Sequence, residues 1–342
     1  MIKVSLIYPE SRVITGYGNY ANRLIRGLSG ISQIELEKLT VKKREISLMG
    51  QPFFGSISQK LGSKTIHPTG DVIHSLTPGV INKYTNVVTI HDIVPLIMKK
   101  EFADSLYRRI WYEKMFASIL SVKFLIVFTK IAKKEFQDKF SLDDDRVFVV
   151  PQSVDHDIFF REPDQSIKKE DKKLIVTVGD LNPRKRFDIL FQAVKGRNDL
   201  EVVHLGPVNS WSAQRMKLLE LIGDQPNIKM LGQVDNNTLR RYYSSADLLV
   251  HLSEAEGFAS PTVEAMACGT NVLVNDLPLF HETLDSLVTY TSLEPEAVTA
   301  SIDAALNNKR SSKELMAYTQ RYSIEQMGSN TLEVYKRAMA DK

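Results

Sequence analysis

Short, continuous apolar runs alternate with amphipathic stretches along the whole chain. In the first half the runs are VSLIY (Val4 to Tyr8), IELEKLTV, DVIHSL, NVVTI and FLIVF; in the second they are LIVTV, EVVHL, NIKML, DLLV and NVLV. Each has the length of a strand and is too short for a helix. The stretches between, such as YANRLIRGL and IAKKEFQDKF, carry apolar residues at helical spacing. Strand and helix in alternation predict parallel sheets covered by helices. The polar run REPDQSIKKEDKK interrupts the pattern midway and has the composition of a linker. The expectation is an α/β protein of two doubly wound, Rossmann-like domains, residues 1–155 and 156–324, with a last helix over about 325–342. Within the first domain, QPFFGSISQKLGSK is expected to form a mobile segment.

The densest pattern lies between Ala246 and Asp276. The apolar run Leu248 to Leu252 leads into a polar turn, a short helix from Pro261, and a second run from Thr270 to Val274. Ser260 is placed to cap that helix, Pro261 suits its first position and Gly269 its left-handed end. The turn Glu256-Gly257-Phe258-Ala259 therefore brings backbone amides to a helix N-terminus, which attracts anions. Glu256 and Glu264 flank it. An ionised carboxylate only accepts hydrogen bonds, so the pair suits a ligand bearing both phosphates and hydroxyls, such as a nucleotide-sugar. Taken alone, the two residues are equally well explained by a dipole contact of Glu264 in a first helical turn and a solvated Glu256.

Other stretches add candidates. In LNPRKRFDIL, Arg184, Lys185 and Arg186 stand near a helix start, where cations oppose the dipole; a bound diphosphate would offset that, with a solvated basic turn as the lesser alternative. In VVTIHDIVPL, His91 and Asp92 follow directly on a strand, where open parallel sheets bind ligands, although a lone histidine there is more often structural. Gly16 and Gly18 lie in a strand, loop, helix arrangement. The wording GYGNYA lacks the third glycine of a dinucleotide fingerprint, which weakens a nicotinamide-dependent dehydrogenase reading and leaves a tight turn with positive φ as an equal account. Asp143 to Asp145 fit turn chemistry more simply than a metal site. The stretch around Tyr107, Trp111 and Tyr112 is either a basic, aromatic membrane face or a core helix burying Ile110, Met115, Phe116 and Ile119.

Composition narrows the class. The chain has 342 residues, 43% hydrophobic and 25% charged, which suits two ordinary globular domains. No apolar run approaches the ~18 residues of a membrane span, and MIKVSLIYPE reads as a first strand and not a signal sequence, so a cytoplasmic location is expected. Cys268 is the single cysteine; it excludes an internal disulfide and any multi-cysteine metal site, and reads as a small buried hydrophobe. The net charge of +3 conceals an asymmetry: residues 1–160 hold 22 Lys and Arg against 16 Asp and Glu, the remainder 22 against 25. A basic first half fits chance, attraction to the anionic inner face of a membrane, or a phosphorylated acceptor; no nucleic-acid partner is expected.

EGFASPTVEAMACG closely resembles the EGFGLPxLEAMACG block of the family 4 retaining glycosyltransferases, with Glu256, Gly257, Phe258, Pro261 and the run Glu264 to Gly269 in place. VTIHDIVPL, the segment Leu174 to Val194 and VVPQSVDHDIFF extend the resemblance through nearly the whole chain, thinly from residue 34 to 80; Gln152 and Ser153 replace the connector's usual Asn-Gly. The resemblance implies the GT-B architecture: two such domains facing a central cleft, the first on the acceptor side with the terminal helix crossing back over it, the second binding a nucleoside diphosphate-sugar. It further implies that Glu264 takes the ribose hydroxyls, Glu256 a hexose hydroxyl, and His91 the transferred sugar. Lys185 would hold the departing diphosphate with Arg184 or Arg186, since Asp180 stands where the family often has arginine. Amides from Gly257 through Phe258 and Ala259 to Ser260 would hold sugar and phosphate, the loop at Val234 would bracket the base, and Gly16 and Gly18 would face the cleft. No divalent metal or other cofactor is implied. The expected reaction moves mannose or glucose, with retention, to a glycan, lipid-linked or small-molecule acceptor in cell-surface glycan assembly. The alternative is a catalytically silent nucleotide-sugar-binding subunit, against which the intact His91, Lys185, Glu256 and Glu264 argue.

Overall fold

A computed structural model describes residues 1–10, 16–42, 60, 62–98, 106–167, 171–208, 212–223 and 225–341. The chain divides into two compact units, Met1–Ser153 with Ile324–Lys342, and Val154–Ser323. Most of the expected mobile segment, and residues 168–170 of the polar linker, lie outside the described residues.

The first unit holds β1 (Ile2–Pro9), β2 (Ile34–Val41), β3 (Val72–Ser75), β4 (Val87–Thr89), β5 (Phe124–Val127) and β6 (Val147–Val149), in the spatial order β2-β1-β3-β4-β5-β6. Every pairing is parallel. Helices cover both faces, so inner strands read as unbroken apolar runs; all four residues of β5 are buried. Edge strand β2 is less buried, with Glu35, Lys38 and Thr40 exposed, and its charges blunt an edge that could pair with another chain. The terminal helix Ile324–Ala340 belongs to this unit and lies against the helix Gly16–Ser29 at backbone distance. A Cβ on Gly27 would stand 2.5 Å from the Ile324 carbonyl oxygen, and one on Gly328 2.7 Å from the Gly27 backbone.

Two expectations change here. Gly16 and Gly18 are not in a loop but open the helix Gly16–Ser29, and neither has positive φ. The helix Leu106–Ala117 and the turn after it bury Phe116 and Ile119, but Ile110 is 42% exposed. The side chain of Tyr107 lies outside the described residues. The aspartate run makes a turn, with Asp144 2.7 Å from Lys133. Among the described residues no helix is long and apolar enough to cross a membrane.

The second unit holds β7 (Lys173–Val178), β8 (Leu200–Leu205), β9 (Ile228–Gly232), β10 (Leu248–His251), β11 (Val272–Asn275) and β12 (Thr289–Thr291), ordered β12-β11-β10-β7-β8-β9 and all parallel. Every residue of β8, β10 and β11 is buried. The chain runs outward from β7 through β8 and β9, then returns to β10 on the other side of β7. Strand order therefore reverses between β7 and β10. The loops leaving those two strands emerge side by side at their carboxyl ends, the place where open sheets of this kind bind ligands.

Candidate active site

The loop after β7 supplies cations and the loop after β10 a carboxylate, and the switch point brings them together. Pro183–Lys185 is a tight helical turn, capped by the Asn182 side chain, which accepts from the Arg184 amide at 3.1 Å. Arg184 Nη1 lies 2.6 Å and Lys185 Nζ 2.5 Å from Glu256 Oε1. Arg184 Nη1 also donates to the Ala255 carbonyl at 2.5 Å and to Ser253 Oγ at 2.8 Å, while its own carbonyl accepts from the Glu254 amide at 2.9 Å. His251, the last residue of β10, places Nε2 3.1 Å from the same Glu256 oxygen.

These groups are shielded from water, with side-chain exposures of 14% for Arg184, 8% for Lys185 and 9% for Glu256. Burial alone would raise the Glu256 pKa; Lys185 and Arg184 outweigh it and hold the carboxyl well below its usual range. Burial is also the largest influence on Lys185, pushing its ammonium below the ordinary lysine value against the pull of Glu256. All three contacts reach Oε1; among the described residues no hydrogen bond reaches Oε2. Arg186 is engaged elsewhere, 2.7 Å from Glu254 and 3.3 Å from Asp188.

Glycines stand beside this cluster. Gly179 and Gly206 directly follow β7 and β8, and Gly232 ends β9, with φ of +143°, +153° and +75°. A Cβ on Gly206 would overlap the Gly179 carbonyl oxygen at 1.9 Å, and one on Gly179 would meet the Lys185 side chain at 3.4 Å. The backbone at these strand ends is thereby left open to close approach.

The helix after Glu256 runs Ser260–Ala267. Its cap is not Ser260 but Ala259, held left-handed at φ +60°, ψ +54° with no side-chain cap bond. Starting there puts Glu264 beyond the first turn, so a simple dipole contact does not explain it; its side chain is 6% exposed. Gly269 takes the left-handed end as expected, at φ +77°. Phe258 turns its ring against Tyr322, centroids 5.2 Å apart, and is 2% exposed, so its ring is packed inside the domain. Val234 is half-buried between β9 and the helix Asn236–Ser245, whose cap is Asp235. Cys268 is buried, and burial pushes its thiol up to about 12, which makes it inert.

In the first unit, His91 lies just past the carboxyl end of β4. Its Nε2 is 3.1 Å from the Leu76 carbonyl, which can only accept, so Nε2 carries the hydrogen. The ring sits among Tyr17, Tyr20 and Phe128, with centroids 4.3, 4.8 and 5.1 Å away. Burial lowers its pKa to about 4, leaving a neutral imidazole with Nδ1 as an acceptor. Asp92 accepts from the Val94 amide at 3.0 Å and shapes the turn. Gly16 opens its helix, and among the described residues, its own helix backbone and chain neighbours aside, no atom lies within 4 Å of a would-be Cβ.

Sequence reasoning missed His251, Ser253 and Asn182. His251 was absorbed into the apolar run Leu248 to Leu252. The available signal was a polar residue at the carboxyl end of a buried strand, five positions before Glu256.

Residues 159–322 match the family model described as glycosyl transferases group 1. The O-antigen chain mannosyltransferase RfbU of Salmonella typhimurium is 27% identical over 275 residues, 78% of this chain and 72% of that protein. The next curated relatives are matched over only 38–60% of their own length. Sucrose-phosphate synthase from Thermosynechococcus elongatus superposes with a TM-score of 0.81 at 17% identity, covering 100% of both chains. HepE of Anabaena, solved with UDP and glucose, gives 0.75 at 16% identity, covering 98% of this chain and 100% of that one. Residues 159–322 belong to the group 1 glycosyltransferases, an enzyme family, and the chain as a whole has the GT-B fold.

Proposed function

We propose that the protein transfers a hexose, mannose or glucose, from a nucleoside diphosphate-sugar to a hydroxyl of a glycan, lipid-linked or small-molecule acceptor, with retention of anomeric configuration. The observation that carries this is the group of Arg184, Lys185 and Glu256 at the switch point, largely shielded from water and with Gly179 against the Lys185 side chain. A diphosphate gains negative charge as the anomeric bond breaks, so cations fixed beside it act more strongly in the transition state than in the ground state. Lys185 and Arg184 are those cations. With two of them at the leaving group, the reading assigns no divalent metal to the step. Glu256 offers Oε2 to a hexose hydroxyl and Glu264 accepts from the ribose diol. Backbone amides of the turn Gly257 to Ser260 hold sugar and phosphate, Val234 borders the base, and His91 offers Nδ1 to a hydroxyl of the transferred sugar.

The similar proteins support the choice of hexose: RfbU is named a mannosyltransferase and HepE was solved with UDP and glucose. The excess of basic residues before residue 160 suits an acceptor carried on an anionic membrane. The test is a donor panel of uridine, guanosine and adenosine diphosphates and their sugars, read first as thermal shift and then as transfer with and without a chelator. Transfer from a mannosyl or glucosyl donor that survives chelation, giving a product of unchanged anomeric configuration by NMR, is expected. Stabilisation by no nucleoside diphosphate, or donor turnover only with added metal, rejects the reading.

A further inference from the structure

His251 has no part in the roles assigned above. It ends β10, is 1% exposed, and sets its ring edge-on to Phe280 with centroids 5.9 Å apart. Glu256 is ionised and can only accept, so His251 Nε2 donates across the 3.1 Å to Oε1. Burial, and after it the charge of Lys185, lowers the pKa of this imidazole, so it stands neutral beside two cations.

Three donors thus converge on one carboxylate oxygen, and they are not equivalent. Arg184 and Lys185 are long, charged side chains, and a diphosphate would compete with Glu256 for both. His251 carries no charge for a diphosphate to attract, has two side-chain torsions, and is fixed by its strand and by Phe280. We infer that His251 is a positioning residue: it keeps the Glu256 carboxylate in place while Arg184 and Lys185 engage the donor diphosphate, so that Oε2 stays presented to the hexose hydroxyl. The inference rests on the donor reading of Glu256 given above.

The test compares His251→Leu, which keeps the volume and the contact with Phe280, with His251→Gln, which keeps an N–H near the same point. Donor kcat and KM, nucleoside diphosphate affinity and Tm are measured for each. His251→Leu is expected to lose roughly tenfold to a hundredfold in kcat, the range for a hydrogen bond to a charged group. Nucleoside diphosphate affinity should stay within about twofold, because the cations are intact, and His251→Gln should recover most of the rate. A merely structural histidine would instead lower Tm and affinity together in both variants, and that result overturns the inference. So does His251→Leu at the parent rate. His251→Met serves if the leucine form does not fold. Glu256→Ala is run in parallel: its full activity would reject the donor reading itself, whereas a slow Glu256→Ala beside a fast His251→Leu rejects only the role of His251.

Discussion

Glu256 is shared by two cations largely shielded from water, Lys185 and Arg184, and that arrangement makes the site's stability asymmetric. Unit charges 2.5 Å apart attract by about 6–7 kcal/mol at an effective dielectric constant of about 20, much of it offset by desolvation. Removing one partner forfeits the attraction but leaves the desolvation. Glu256→Gln takes from Lys185 and Arg184 the carboxylate they share, and should cost about 3–5 kcal/mol. For a domain of this size each kcal/mol moves Tm by about 2–4 °C, so a fall of about 6–20 °C is expected. Lys185→Met leaves Glu256 with Arg184 at 2.6 Å and His251 at 3.1 Å, and should cost about 1 kcal/mol or less. The double variant should recover about half of the Glu256→Gln loss, since Arg184 still keeps the Ala255 carbonyl and Ser253. Thermal and urea unfolding of the ligand-free protein measure all three. A nucleoside diphosphate should stabilise Glu256→Gln by more than the parent, because it supplies the missing charge where the carboxylate no longer competes. Equal stability of Glu256→Gln and parent, or strict additivity in the double variant, would refute the buried-charge reasoning.

Two further outcomes are expected. Glu264→Ala should weaken nucleoside diphosphate binding about tenfold by calorimetry, the worth of a hydrogen bond to a charged group; unchanged affinity rejects the ribose assignment. His74 is fully buried, bonded to Tyr335 at 2.7 Å and Thr89 at 2.8 Å, and burial lowers its pKa to about 3. The unfolded chain binds a proton near pH 6.5 that the folded chain refuses, so stability is full above that pH and is lost as pH falls toward about 3. The slope is about 1.4 kcal/mol per pH unit for each such histidine. Urea midpoints between pH 7.5 and 5 should fall less for His74→Gln than for the parent; equally steep profiles would count against the buried neutral histidine.

Much of this was legible in the chain because it is local. Apolar runs of strand length, separated by helical stretches, were enough for two parallel sheets, since a strand covered on both faces must be apolar at every position. Gly269 was readable as a left-handed helix end because only a residue without Cβ takes that conformation cheaply. Ala259 was not readable: an alanine at φ +60° gives no local sign of itself, so Ser260 looked like the cap. The same shift carried Glu264 out of the first turn. Ile110 failed for a related reason. Helical spacing says which residues share a face, but not where the core ends along it.

The sequence by itself determined the alternation of strand and helix and supplied the charged residues proposed to bear the chemistry. What only the tertiary structure decided is which of them meet. Arg186 adjoins Lys185 in the chain, yet it pairs with Glu254 and Asp188; Glu256, 71 residues beyond Lys185, shares one oxygen with Arg184, Lys185 and His251. The reason lies in the strand order: β10 returns to lie beside β7, so the loops after those strands emerge side by side. A pairing of strands so distant in sequence leaves no periodic trace in either of them.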